Sequence, residues 1–161
     1  MPSIAVVIET PKGSAQKYDW DEDLRLFKLN KILPAGLQFP FDFGFIPGTK
    51  GGDGDPLDVI VISEIKSFPG CAMDVRIIGV ITADQTERDG TTVRNDRFLC
   101  IPDVSQLFKD VQSLKDLPED ILNQLEAFFK NYNEQAGKRF EPLQRLDAEE
   151  AYALYQKGAG E

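Results

Sequence analysis

The pattern of apolar runs predicts one α+β domain over residues 1–161, a small β-barrel followed by a helical last third. Two observations carry that prediction. Five or so short runs rich in β-branched and aromatic residues follow one another over residues 3–101 without regular helical patterns between them. Neighbouring parallel strands need a crossover, usually helical, so this order argues for a barrel and against a parallel sheet. Beyond residue 115 the apolar residues recur at helical spacing instead. The length suits one domain with a real core, and neither an internal repeat nor a linker divides it.

In chain order, residues 3–10 (S-I-A-V-V-I-E-T) are the first predicted strand, ended by Pro11. Residues 12–16 form a polar loop, and extended structure resumes at Lys17-Tyr18-Asp19-Trp20. Leu24, Leu26 and Lys28, alternating with Arg25 and Phe27, predict a two-faced strand. Within residues 35–45, Phe39, Phe41, Phe43 and Phe45 recur at period two and are read as a core strand. Val59-Ile60-Val61-Ile62 is an uninterrupted buried strand. Pro69-Gly70 marks a turn, and residues 72–82 (A-M-D-V-R-I-I-G-V-I-T) a long strand bulged or bent at Gly79. Residues 83–95 are polar and charged, a loop, and residues 98–101 a short strand ended by Pro102. Asp116-Leu117-Pro118-Glu119 has the form of a capping box, with Asp116 at N-cap and Glu119 at N3. Ile121, Leu122, Leu125, Phe128, Phe129 and Tyr132 then share one helical face, and Gly137 lies beyond its end. Asp147-Ala148-Glu149-Glu150 repeats the capping pattern ahead of Ala151, Leu154 and Tyr155, and Gly158 closes that helix.

Composition removes several function classes. The net charge of −9 argues against nucleic acid or an anionic membrane as partner. No apolar run approaches the length of a membrane span, and the Met1-Pro2-Ser3 start has no signal-peptide character. The two cysteines, Cys71 and Cys100, sit in apolar surroundings, the pattern of buried thiols in a reduced, cytoplasmic protein. Histidine is absent, which removes Ser-His-Asp and Cys-His nucleophile systems and the usual zinc sites. Acid–base chemistry falls to carboxylates, lysine, tyrosine or metal-activated water.

The stretch Gly51-Gly52-Asp53-Gly54-Asp55-Pro56-Leu57-Asp58 concentrates the chemistry. Three carboxylates within six residues, held at the start of a rigid strand, repel one another unless a cation sits among them. All-oxygen ligation suits a hard ion such as Mg²⁺, Mn²⁺ or Ca²⁺. The plain alternative is a solvated acidic turn, since Asp and Gly are ordinary turn residues. An EF-hand loop fails at Leu57, at the missing glycine of the sixth position, and on the flanking strand.

The run D-G-D-P-L-D-V resembles the signature of family I soluble inorganic pyrophosphatases (inorganic diphosphatases), and the resemblance extends over nearly the whole chain. It takes in V-V-I-E ending at Glu9, Lys17-Tyr18, the F-P-x-x-x-G-F-I run from Phe39 and Gly79-Val80. It continues through the loop 84–97 ahead of Ile101-Pro102, and Leu117-Pro118 with Phe128-Phe129 and Tyr132. The resemblance implies a five-stranded, closed OB-like barrel flanked by two helices. It implies Mg²⁺-dependent hydrolysis of pyrophosphate to two phosphates by metal-activated water, with Mn²⁺ a possible substitute. Asp53, Asp58 and Asp84 then resemble metal ligands and Glu9 an outer-sphere partner, with Asp55 the general base. Lys17, Lys31, Arg97 and Tyr132 resemble the phosphate contacts. A cytoplasmic homo-oligomer is implied as well.

Several positions depart from the family's usual pattern. Lys31 stands where the family usually has Arg, Phe43 where it has Tyr, Asn133 where it has Lys and Asp19 where it has Glu. The family's D-x-K becomes Asn95-Asp96-Arg97, which puts neutral Asn95 at a metal-ligand position. Asp96 becomes the ligand if the loop slips by one residue, and Glu87 or Asp89 can also approach a metal. Two alternatives stay open on these departures: a paralogue of weak or no activity that binds metal or phosphate or acts by protein interaction, and a hydrolase of other phosphoanhydrides.

Overall fold

The computed structural model describes residues 2–161. Its strands are β1 (Ile4–Thr10), β2 (Gln16–Asp21), β3 (Leu26–Ile32), β4 (Asp42–Ile46), β5 (Leu57–Val61), β6 (Ala72–Thr86), β7 (Thr92–Arg94), β8 (Arg97–Pro102) and β9 (Arg139–Asp147). Helix α1 (Glu119–Gln135) precedes β9, and α2 (Ala148–Gly158) follows it. The ring runs β1-β4-β5-β8-β6 and closes where the start of β6 pairs β1, with Ile4 opposite Val75. Every pairing in it is antiparallel except β5 with β8. The ring is therefore mixed and uneven: β6 reaches well past it, and β7 and β9 pair with that far half. Strands β2 and β3 form a separate hairpin.

Both faces of the central strands are buried, which explains their unbroken apolar sequence. Val59 and Val61 of β5, with Phe98 and Cys100 of β8, join Ile4, Val6, Ile8 and the α2 residue Ala151 in one core. Ile60 and Ile62, with Leu99 and Ile101, face a second core under α1, built on Leu122, Leu125 and Phe129. Leu125 is 1% exposed, and its burial contributes about 1.5–3 kcal/mol.

The structure corrects several element assignments. Residues 83–95 are no loop: β6 continues to Thr86 and turns back through Gly90, at φ 89°, into β7. The exposed charges lie at the hairpin tip, while Ala83 and Gln85 are buried. Strand β9 lies within the third expected to be helical. Pro142 sits at its register shift, and β9 pairs β6 alone, as a proline-bearing edge strand does. Strand β3 begins only at Leu26, because Arg25 adopts φ 55° in the preceding turn.

Of the four phenylalanines, Phe39 precedes β4 yet is 1% exposed, whereas Phe41 and Phe45 are half-buried. Asp116 does not cap α1. Its Oδ2 accepts from the Ser113 and Gln112 N–H groups around a short 3₁₀ turn at Leu114–Asp116, and α1 starts after Pro118. Asp147 does cap α2, its Oδ1 accepting from the Ala148 N–H at 2.9 Å. Gly158 is still helical, and the left-handed residue beyond it is Gly160. Cys100 is buried as expected, Cys71 is half-buried, and both are free thiols.

Candidate active site

The loop 51–58 is folded by its own backbone. The Gly51 N–H donates to the Asp55 carbonyl at 2.8 Å, and the Gly54 N–H to the Gly51 carbonyl at 3.1 Å. Gly54 turns the chain at φ 87°, a value costly for other residues. Gly52 lets the loop press on the β6–β7 hairpin: a Cβ there would lie 2.9 Å from Arg94 Cβ. Asp53 Oδ1 accepts the Asp55 N–H at 3.0 Å, an Asx turn that fixes its carboxylate, and Asp58 is held by the first residues of β5.

Asp53, Asp55 and Asp58 line one wall of a cleft of about 390 Å³. Lys17, Lys31, Asn95, Arg97 and Tyr132 line the same cleft, so eight of the expected site residues converge. Lys17 and Lys31 are directly opposite in the β2–β3 register. Like charges so paired destabilise a hairpin, and an anion between them removes that penalty. Lys17 is buried, ion-paired to Asp19, and its Nζ lies 5.3 Å from the Phe43 ring centroid. The Lys31 Nζ sits 4.4 Å over Tyr132, and burial, then Lys138 and Lys17, push its pKa down. Burial raises the Tyr132 hydroxyl well above its ordinary range, so it stays a neutral donor.

The carboxylates are held unfavourably as anions. Burial raises Asp58 to about 6 despite the Arg97 guanidinium, and Asp53 adds to the rise. Burial also raises Asp53 against the pull of the Asp55 N–H. Glu9, on β1, is raised to about 7 by burial, opposed by Lys17 and by the Trp20 N–H that its Oε2 accepts at 2.9 Å. Bringing a cation among such groups lowers all three values.

The other expected residues lie elsewhere. Glu9 lines a neighbouring cavity of about 520 Å³ that shares Asp55 and Asp58 with the cleft. Asp84 is not a lining residue. Its neighbour Gln85 is, and successive strand side chains point to opposite faces. Asp96 Oδ1 accepts the Ala83 N–H at 3.1 Å and pairs with Arg94 Nε at 2.6 Å, beside a narrow crevice behind Asp53 and Asp58. Gln85 and Lys138 line the cleft without having been expected there; Glu87, named above as able to approach a metal, lines it beside them. Strand alternation carried through residues 83–86 would have found Gln85; nothing local marks Lys138. Among the described residues no three His, Cys, Asp or Glu side chains stand close enough to hold a metal without adjustment.

A cleft with carboxylates on one wall and paired lysines on another is built for a polyanion accompanied by a cation, the class of metal-assisted phosphoanhydride hydrolases. Residues 6–160 match the family described as Inorganic pyrophosphatase. The chain is 38% identical to the inorganic pyrophosphatase of Halalkalibacterium halodurans, over 94% of this chain and 90% of that one. It is 36% identical to that of Synechocystis, over 96% and 88% of the two chains. The crystal structure of inorganic pyrophosphatase from Thermus thermophilus superposes with a TM-score of 0.89 at 30% identity, covering 98% of this chain and 90% of the other. The chain belongs to the inorganic pyrophosphatase family.

Proposed function

We propose that the cleft hydrolyses inorganic pyrophosphate to two phosphates with one or more divalent cations, Mg²⁺ by preference and Mn²⁺ as a substitute. The observation that carries this reading is the Asp53-Asp55-Asp58 wall facing the Lys17–Lys31 pair across a single cleft. The donors fit a hard cation: they are oxygen-only, and burial already disfavours their charge without one. Asp53 and Asp58 would hold the cation, which when bound would lower the pKa of water and offset the charge of the substrate. Asp55 is exposed at the cleft mouth, free to take a proton from the attacking water. Lys17, Lys31 and Arg97 bind the phosphoryl oxygens and stabilise charge that builds during P–O cleavage, with the Tyr132 hydroxyl as a further donor. Glu9 backs Asp58 from the neighbouring cavity. Asn95 offers a neutral amide to the cleft. Asp84 and Asp96 are not among the residues that line the cleft.

The family resemblance supports a cytoplasmic homo-oligomer acting on pyrophosphate, and the net charge of −9 argues against nucleic acid or an anionic membrane as partner. Among the described residues no helix is long and apolar enough to cross a membrane. The test is phosphate release from pyrophosphate across a range of Mg²⁺ and Mn²⁺. Asp55→Asn lowers kcat by roughly 10²- to 10⁴-fold, the worth of a positioned general base. Purified protein that releases no phosphate under any of these conditions overturns the enzyme reading in favour of a metal- or phosphate-binding one.

A further inference from the structure

The polar side chains facing the 53–58 loop from the β6–β8 side are bonded to one another and to that loop. Gln85 Oε1 accepts from Asn95 Nδ2 at 3.0 Å and from Arg97 Nη2 at 3.4 Å, which uses both of its lone pairs. Gln85 Nε2 donates to Glu87 Oε1 at 3.0 Å, and Glu87 is ion-paired with Lys138 at 3.0 Å. The carboxylate on this side is thus neutralised, and the two amides are bonded to each other. Arg97 Nη1 donates to Asp58 Oδ2 at 2.9 Å and to the Asn95 carbonyl at 3.1 Å. Its guanidinium is caged 4.9 Å from the Phe129 centroid, 5.4 Å from Phe140 and 5.8 Å from Phe43. Arg97 is 4% exposed, and its Nε has no partner among the described residues. A buried guanidinium packed between three rings and bonded to Asp58 does not move aside readily.

We propose that Arg97 is a built-in cation, so that in the absence of substrate each chain binds a single divalent ion, on the 53–58 loop, with the guanidinium in place of a further one. The proposal rests on the metal-dependent reading above. Three carboxylates, one guanidinium and one divalent ion leave the cleft wall neutral. A second divalent ion would meet the neutral Gln85–Asn95 pair and the fixed positive charge of Arg97, in surroundings where repulsion is poorly screened. Coordination by Gln85 Oε1 would also strip the Asn95 and Arg97 donors of their acceptor.

Mn²⁺ titration of metal-free protein, read by the electron paramagnetic resonance of free Mn²⁺, tests this without reference to turnover. The expected result is one saturable site per chain in the sub-millimolar range, and two in the Gln85→Glu, Asn95→Asp double variant. Arg97→Lys, which keeps the charge, retains one site. Two or more comparable sites in the unaltered protein overturn the proposal, whatever the fate of the variants. A correctly folded double variant that still binds one ion overturns it too, since the amides would then not be what excludes the second. No Mn²⁺ binding at all overturns both this proposal and the metal-dependent reading. One bound ion with no phosphate release overturns only the hydrolytic reading and leaves this proposal standing.

Discussion

Replacing Asp58 by Asn should make the metal-free protein more stable while disabling it. The carboxyl titrates at about 6 in the folded chain against a reference of 3.8, because burial outweighs the pull of Arg97. An amide has nearly the shape of a protonated carboxyl and never ionises, so Asp58→Asn mimics the neutral form. A shift of about two units at 1.36 kcal/mol each puts the cost of ionising Asp58 in the fold at about 3 kcal/mol. The sign follows from the raised value. The stability tied to the neutral carboxyl is fully present below pH 4 and lost as pH rises through 6, so the variant's gain builds across that window and is complete above it. For a chain of this length about 3 kcal/mol corresponds to a Tm increase of roughly 6–12 °C. Scanning calorimetry in chelator at pH 4 and pH 8 measures it: no difference at the lower pH, the full increase at the higher. Glu9→Gln should behave in the same direction over the window up to about 7, since burial raises Glu9 too. A variant less stable than the parent at pH 8 refutes the reasoning, because the Arg97 ion pair would then outweigh the burial of the carboxylate. Turnover should fall steeply in the same variant, the expected exchange of stability for function at a metal ligand.

Two further outcomes follow from packing. A Cβ on Gly79 would lie 2.3 Å from Leu114 Cγ, so Gly79→Ala should lower stability by roughly 1–3 kcal/mol through overpacking, seen as a lower urea midpoint at unchanged slope; an unchanged midpoint would mean that Leu114 is free to swing away. Cys100 is fully buried, with its thiol pushed well above the ordinary range by burial, while Cys71 is half-buried. Ellman's reagent should therefore find one reactive thiol per native chain and two in denaturant, and rapid modification of both under native conditions would show β8 opening locally.

The most legible parts of the sequence were those whose structure is settled within a few residues. The 53–58 loop is tied by its own hydrogen bonds, and the runs around Val59 and Phe98 are apolar because both of their faces are covered. Asp147 caps the helix it precedes, so its role was visible as well. What escaped depended on distant partners. Residues 83–86 look like a loop until β9 covers them, and β9 itself is disguised by Pro142. Asp84 and Asp96 carry the charge expected of ligands, but strand alternation puts Gln85 rather than Asp84 on the cleft lining, and Asp96 accepts a backbone N–H of β6. Lys138 reaches the cleft only because the chain turns at Gly137, φ 76°, directly after α1.

Asp58 and Arg97 face each other as register partners on the parallel pair β5–β8, although 39 residues separate them in the chain. A nascent chain therefore exposes its acidic loop well before the guanidinium that answers it has been made. At about 5–20 residues per second that interval lasts roughly 2–8 s, during which Asp58 lacks its nearest countercharge. The pairing is also non-local, and such contacts form slowly because a long segment must be ordered before they reward it. On refolding, helical signal should return ahead of a competent cleft, and a truncated chain ending before Arg97 cannot assemble one.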